Sequence, residues 1–351
     1  MALSNLSELL LRNEAHFSGS VLLIGPPEDL PLSRWPGMSA LSTDIGQVQR
    51  GLAQQQHWLF GYDDPAAGED YERVVICMPK AREELALRLT YGESRLRPGG
   101  EIWLAGEKRG GIAGGARELQ QRWPNAAKLD SARHCQLWCL RAEGGQSFRV
   151  ADWLSHRELP VAGETLSLAR LPGVFNDGLL DRGTELLLGT LGEAPAGPVL
   201  DFACGNGVIG AWLLKRWPSL QLDLLDAQWQ ALVCASATLG SWLAPPESPE
   251  QGPVRLLQSD GLEQAPGPYR LILANPPFHQ GVRQDLSVTH RFLMEAASRL
   301  ERGGELRIVA NRHLPYAESM EKALGPVTVL EDDGRYRVYQ SFKPRRPARR
   351  H

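Results

Sequence analysis

Three segments of the chain recur in the same order at nearly constant spacing, and this repeat limits the possible folds more than any bulk property does. "YERVVICMPK" (Tyr71 to Lys80) parallels "YRLILANPPF" (Tyr269 to Phe278). "LRPGGEIWLAGEKR" (Leu96 to Arg109) parallels "LERGGELRIVANRH" (Leu300 to His313), and "ARHCQLWCLR" (Ala132 to Arg141) parallels "GRYRVYQSFK" (Gly334 to Lys343). Ordered self-similarity of this kind marks two copies of one unit, and 351 residues suit two domains. In the second copy, strands are predicted at Val199 to Phe202, Leu220 to Asp226 and Arg270 to Ala274, with helices at Val208 to Arg216 and near Trp229 to Leu239. Strands that alternate with helices predict a parallel sheet covered on both faces. The expected fold class is α/β, two tandem Rossmann-like domains: residues 1–145, a connector over 146–170, a second domain over 171–343 and a basic tail over 344–351.

Charge and cysteine usage exclude several function classes. A formal net charge of -3 argues against a wholly basic nucleic-acid binder, yet Lys80 to Arg133 leans basic and the tail "KPRRPARRH" is rich in arginine. Cys77, Cys135, Cys139, Cys204 and Cys234 show no CxxC spacing and no clustered histidines, so reduced thiols are expected, with neither a metal site nor a disulfide framework. The N-terminal "MALSNLSELLLRNE" has no basic leader, and no apolar run reaches about 18 residues. The expected location is the cytoplasm, with no membrane contact. A chain made of two copies can bury within itself the face a homodimer would use, so a monomer is expected.

The strand "PVLDFACGNGVIG" ends in a loop with Gly205, Gly207 and Gly210 ahead of a helix. Small residues let the backbone approach a ligand, and a helix N-terminus offers N–H groups to it, which suits a dinucleotide or another adenosine cofactor. Asp226 follows about 20 residues on, where a carboxylate accepts ribose hydroxyls. Both cofactor classes fit these features. Asp201, Ala203, Gly205 and Gly207 together resemble the D-x-G-x-G-x-G loop of S-adenosylmethionine methyltransferases, which wraps the amino-acid end of S-adenosyl-L-methionine. Ala203 stands where that pattern has its first glycine, a departure expected to narrow the loop slightly. By the same resemblance Asp260, in "LLQSDGL", meets the adenine amine; its other role is a cap or turn residue.

"LILANPPFHQG" (Leu271 to Gly281) stops a strand on an amide, a double-proline corner and an aromatic ring. Proline has no N–H and a fixed φ, so the strand ends there. An amine conjugated to a base is a weak nucleophile because its lone pair is delocalised. Two acceptors, the Asn275 side-chain oxygen and the Pro276 carbonyl, take its two N–H bonds and turn the lone pair toward a sulfonium methyl. Phe278 stacks on the base, a contact of about 1–3 kcal/mol. Positioning then supplies most of the rate without a general base. The Asn-Pro-Pro-Phe signature resembles amino-methyltransferases acting on adenine, on guanine or on a protein glutamine, and this chemistry does not choose among them.

The longer strings "NPPFHQG", "GGELRIVANRHLPY" and "LPGVFNDGLLDRGTELLL", with the duplicated N-terminal half, resemble the bacterial ribosomal RNA guanine-N(2) methyltransferases over nearly the whole chain. "SELLLRNEAHF" and "KLDSARHCQLWCLR" resemble the small-subunit branch of that family, which implies 16S ribosomal RNA in the assembled small subunit as substrate. The large-subunit branch shares "NPPFHQ" and "ANRHL". In the family the C-terminal copy is the catalytic methyltransferase domain, bearing Asn275, Pro276 and Phe278, with Asp201, Ala203, Gly205, Gly207, Asp226, Asp260 and Asn275 at the cofactor. The N-terminal copy reads as degenerate, because "VLLIGPPEDLP" has prolines where glycines would present N–H groups and "CMPK" replaces Asn-Pro-Pro-Phe. That copy is expected to support the catalytic one and to offer Lys80, Lys108, Arg109 and Arg117 to RNA phosphates, against the plain alternative of a solvated face. His279 braces Asn275 or touches the substrate, or is a turn histidine satisfied by backbone. Phe175, Asp181 and Thr184 resemble the family's cofactor-proximal segment, or mark a helix start. Three rival functions fit parts of the chain: a nicotinamide oxidoreductase, a protein-glutamine methyltransferase and a non-catalytic RNA-binding assembly factor.

Overall fold

The computed structural model describes residues 3–62, 70–174, 180–243, 252–276 and 286–345. The chain forms two compact units, Met1–Leu154 and Ser155–His351. In the first unit the strands are β1 (Val21–Ile24), β2 (Met38–Ser42), β3 (His57–Phe60), β4 (Tyr71–Cys77), β5 (Leu96–Glu107), β6 (Ala127–Ala132) and β7 (Cys135–Arg141). The helices are α1 (Asn5–Arg12), α2 (Ile45–Ala53), α3 (Glu83–Ser94) and α4 (Ile112–Arg122). The second unit opens with β8 (Ser155–Val161), β9 (Glu164–Arg170) and α5 (Arg182–Gly189). It continues through β10 (Val199–Phe202), α6 (Val208–Arg216), β11 (Leu222–Asp226), α7 (Trp229–Leu239), β12 (Val254–Gln258) and β13 (Tyr269–Ala274). It closes with α8 (Leu286–Arg299), β14 (Leu300–Asn311), α9 (Tyr316–Leu324), β15 (Val327–Asp332) and β16 (Tyr336–Phe342).

The repeat in the sequence is a repeat in topology. The first sheet has the order β3-β2-β1-β4-β5-β7-β6 and the second β12-β11-β10-β13-β14-β16-β15. In the second sheet β12, β11, β10, β13 and β14 run parallel, whereas β16 lies antiparallel to both β14 and β15. The parallel arrangement expected for β10, β11 and β13 is present, and β16 alone runs against the other strands. A parallel pair needs a crossover of about a dozen residues, and Asp333 to Arg335 leave room only for a hairpin; Gly334 takes the left-handed φ of 88° in that turn.

Residues 146–170 are not a simple connector. β8 and β9 pair as an antiparallel hairpin within the second unit. In β9 Leu166 and Leu168 are buried while Thr165 and Ser167 are exposed, the period of a strand with one face on a core. The hairpin is fastened by Ala169 N–H donating to Thr238 Oγ1 at 2.9 Å on α7 and by Lys215 Nζ donating to Thr165 O at 2.7 Å from α6.

The second sheet separates two apolar layers. Val199, Leu271 and Leu273 pack with Leu187, Leu213 and Leu214, while Leu200, Phe202, Ile272 and Ala274 pack with Phe292, Leu293 and Met320. Successive strand residues face opposite layers, so both sides of β10 and β13 are buried. These two central strands place the site described next.

Candidate active site

β10 and β13 are neighbours, and the strand order reverses there: β11 and β12 lie on one side, β14 on the other. Phe202 pairs with both Leu225 and Ala274, and Asp226 pairs with Gln258. The segments beginning at Ala203, Asp226, Ser259 and Asn275 thus leave one edge of the sheet together. Ligands of open α/β sheets bind in the crevice at such a reversal.

The glycine loop is a run of left-handed residues. φ is 56° at Ala203, 56° at Gly205 and 81° at Gly207. Ala203 does more than narrow the loop: an L-residue there costs about 1–2 kcal/mol of backbone strain. Around Gly205 a Cβ would meet no atom within 4 Å, so this face of the loop is open to a ligand. At Gly210 a Cβ would come 2.5 Å from Leu224 Cδ2, so this glycine serves the close packing of α6 on β11. Asp226 is 7% exposed, and its Oδ2 accepts from Gly205 N–H and its Oδ1 from Gln228 N–H, each at 2.9 Å. Asp226 thereby ties the glycine loop to the end of β11.

Asp201 is fully buried on β10, and among the described residues neither of its side-chain oxygens has a hydrogen-bond partner. Burial pushes its carboxyl up to about 8, with the nearby Asp226 charge acting in the same direction; the Gly210 backbone opposes the shift without closing a hydrogen bond. An orphaned buried carboxylate is costly, and this one stands at the base of an open loop. The two carboxylates at the base of the Gly205 loop fit a ligand that brings hydrogen-bond donors and positive charge. Asp260 follows β12, half-buried, in the field of Arg291. The turn after it is closed by Leu262 N–H donating to Glu295 Oε2 at 2.9 Å and Gln264 N–H donating to Ser259 Oγ at 3.2 Å.

Asn275 leaves the end of β13 half-buried, followed by a buried Pro276. Its Nδ2 donates to Asp181 Oδ2 and to Thr184 Oγ1, both at 2.8 Å. Asp181 is also the N-cap of α5, its Oδ2 accepting from Thr184 N–H at 3.1 Å. No donor among the described residues reaches Asn275 Oδ1. Beside the site Phe202 and Phe292 stack with centroids 4.2 Å apart and an interplanar angle of 24°. Phe278, His279 and Phe175 lie outside the described residues. The segment around Asp181 is legible in the sequence as a helix start or a cofactor-proximal stretch; its direct bond to Asn275, 94 residues away, is not.

The matching position in the first unit is closed. Gly25 keeps a left-handed φ of 66°, but Pro26 and Pro27 follow it, and a Cβ on Gly25 would come 2.1 Å from Arg88 Nη1. Arg88 is buried with Glu84 at 2.9 Å, donates to Cys77 O at 2.8 Å, and Tyr62 Oη donates to Glu84 Oε1 at 2.8 Å. Side chains thus cover the loop that the second unit leaves open. Lys80 follows β4, and Lys108 and Arg109 follow β5, so these three exposed cations share one edge of the first sheet. Lys108 N–H donates to His134 O at 2.8 Å, joining the β6–β7 turn to that edge. Arg117 is exposed too, but it is carried roughly 8 Å along α4 from the helix start. Among the described residues no helix is long and apolar enough to cross a membrane, and no group of three or more His, Cys, Asp or Glu is placed to hold a metal ion.

Comparison with known proteins agrees with this layout. Residues 165–340 match the family "Methyltransferase small domain" and residues 7–157 match "Methyltransferase small domain N-terminal". The ribosomal RNA small subunit methyltransferase C of Hahella chejuensis is 40% identical over 350 residues, covering 97% of this chain and 99% of that protein. The protein of the same name from Pseudomonas aeruginosa strain LESB58 is 40% identical over 336 residues, covering 95% and 98%. A solved structure, the T. thermophilus 16S rRNA N2 G1207 methyltransferase in complex with AdoMet and guanosine, superposes with a TM-score of 0.81 at 22% identity, over 97% of this chain and 92% of that one. At that identity the superposition speaks for the fold.

Proposed function

Because this chain belongs to the ribosomal RNA small subunit methyltransferase C family, we propose that it methylates the exocyclic amine of a guanine in 16S ribosomal RNA, with S-adenosyl-L-methionine as methyl donor. The substrate is the assembled small subunit, the enzyme acts as a monomer, and its place is the cytoplasm. The observation that carries the reading is Asn275, whose two amide hydrogens are both held by the first turn of α5, leaving Oδ1 as an acceptor beside the open glycine loop.

The residues present fit the cofactor. Asp201, Ala203, Gly205 and Gly207 would hold its amino-acid end, where the orphaned Asp201 oxygens meet donors and positive charge. Asp226 would take the ribose hydroxyls and Asp260 the adenine amine. When bound, S-adenosyl-L-methionine supplies an electrophilic methyl group on a sulfonium, whose C–S electron pair leaves with a neutral thioether. Asn275 Oδ1 and the Pro276 carbonyl accept the two hydrogens of the guanine amine and turn its lone pair toward the methyl. Once the nitrogen is methylated it becomes acidic, and its extra proton passes along one of those two acceptors to water. Phe278 stacks on the base and holds it in register, and His279 lies next to it in the chain. Holding the reactants in line is the main contribution asked of the protein. Lys80, Lys108 and Arg109, on one edge of the first unit, meet RNA phosphates, with Arg117 an outlying contact.

The test is methyl transfer from labelled S-adenosyl-L-methionine to unmethylated small subunits, large subunits and naked 16S RNA, with digestion to nucleosides. Label is expected in N(2)-methylguanosine from small subunits and is expected to fall at least about 100-fold in Asn275→Ala, the scale of a misplaced reactant. Label from large subunits would move the substrate to the sister branch of the family. Label in protein alone would overturn the reading.

A further inference from the structure

We infer that Asp181 is a positioning residue for methyl transfer: its carboxylate decides which end of the Asn275 amide is offered to the substrate. The inference rests on the methyl-transfer reading above and assigns to it a residue from a different element, α5. An amide has a donor end and an acceptor end of nearly equal size, so packing alone does not orient it. A carboxylate offers only acceptors, and the arm of Asn275 that lies 2.8 Å from Asp181 Oδ2 must therefore be Nδ2. Thr184 Oγ1 takes the second hydrogen of the same nitrogen at 2.8 Å. The donor end is fully used, and Oδ1 is what remains to face an amine. Turning the amide over would set its oxygen against the carboxylate and present N–H groups to the N–H groups of the substrate.

Asp181 is itself held in place. The Oδ2 that binds Asn275 also accepts Thr184 N–H at 3.1 Å as the cap of α5. Beneath it Gly183 leaves no spare room: a Cβ there would come 2.8 Å from Asp181 Oδ2 and 3.3 Å from both Tyr336 and Val309. Thr184 is 4% exposed, so water does not readily replace it as a partner. The arrangement also gives a reason for an amide at 275: a carboxylate in its place would face Asp181 at 2.8 Å, and two carboxylates so close do not both ionise.

The test exchanges donor and acceptor across the pair. Asn275→Asp alone is expected to lower kcat on small subunits about 100-fold. Adding Asp181→Asn, with its amide oxygen turned to the α5 cap and its nitrogen to the new carboxylate, restores one donor facing one carboxylate and is expected to recover at least about tenfold of that loss. Losses that simply multiply in the double variant would overturn the inference. Asp181→Ser guards against misfolding, since its hydroxyl still caps α5 but is too short to reach Asn275. It is expected to keep the Tm and to bind S-adenosyl-L-methionine within about twofold of wild type while kcat falls about tenfold, the split of a transition-state interaction. An unchanged kcat in Asp181→Ser would overturn the inference whatever the Asn275→Asp protein does. The wild-type protein is assayed first: absence of label in N(2)-methylguanosine there would be a failure of the methyl-transfer reading, not of the Asp181–Asn275 coupling.

Discussion

Asp201 carries two demands that conflict until a ligand arrives. Its place on β10, in line with Val199 and Leu273, is apolar, and its carboxyl is pushed up to about 8 by burial and by Asp226. Below about pH 4 the folded and unfolded chains both hold the proton, and the group has no effect on stability. Between the ordinary carboxylate value of 3.8 and about 8 only the folded chain holds it, so stability falls as pH rises, by about 1.4 kcal/mol per unit from this group. Asp201→Asn is therefore expected to raise the Tm of the ligand-free protein more at pH 8 than at pH 5, and to weaken S-adenosyl-L-methionine binding. Equal Tm differences at the two pH values, read by thermal denaturation, would show that the buried carboxyl does not titrate as described. Ala203 adds strain to the same strand end, and together they make the loop a place where the fold gives up stability near the ligand.

At the scale of elements, the two copies of the repeat differ in what fills the crevice beside their first strand. In the second unit the open Gly205 face and the stacked Phe202–Phe292 pair border the site. In the first unit Arg88, on α3, lies over Gly25 and is neutralised by Glu84, both less than 10% exposed. Burial of one charge without the other is the costly state. Arg88→Leu is expected to destabilise the first unit by about 3–5 kcal/mol, because Glu84 would lose the buried guanidinium that lies 2.9 Å from its carboxylate. Urea denaturation followed by tryptophan fluorescence reads this, and a loss below about 1 kcal/mol would mean that Glu84 takes up a proton or reaches water instead. The β8–β9 hairpin shows the limit of reading elements from the chain. Its alternation is present in "ETLSLAR", but the strand is short and follows a run without strong signals. Only its packing against α6 and α7 makes it part of a domain.

At the scale of the molecule, a chain of net charge -3 must bind an RNA through local clusters of cations. Lys80, Lys108 and Arg109 form such a cluster at one edge of the first sheet. Replacing all three with alanine is expected to lower the slope of log affinity against log salt by about 2, at roughly 0.7 for each phosphate no longer neutralised, with the methyl-transfer chemistry of bound substrate retained. A slope equal to wild type would show that this edge is solvated and that RNA is held elsewhere. By itself the sequence determined the duplication, the α/β class, the chemical types at the strand ends and the prolines that replace the glycine loop in the first copy, because these depend on residue identity, short-range periodicity and spacing. Only the tertiary structure decided that β16 runs against its neighbours, that Asp201 has no hydrogen-bond partner among the described residues, that Arg88 closes the first crevice and that Asp181 meets Asn275. Each of these depends on which side chains from distant segments meet in three dimensions, and a hydrogen bond between residues 94 apart leaves no local pattern in the chain.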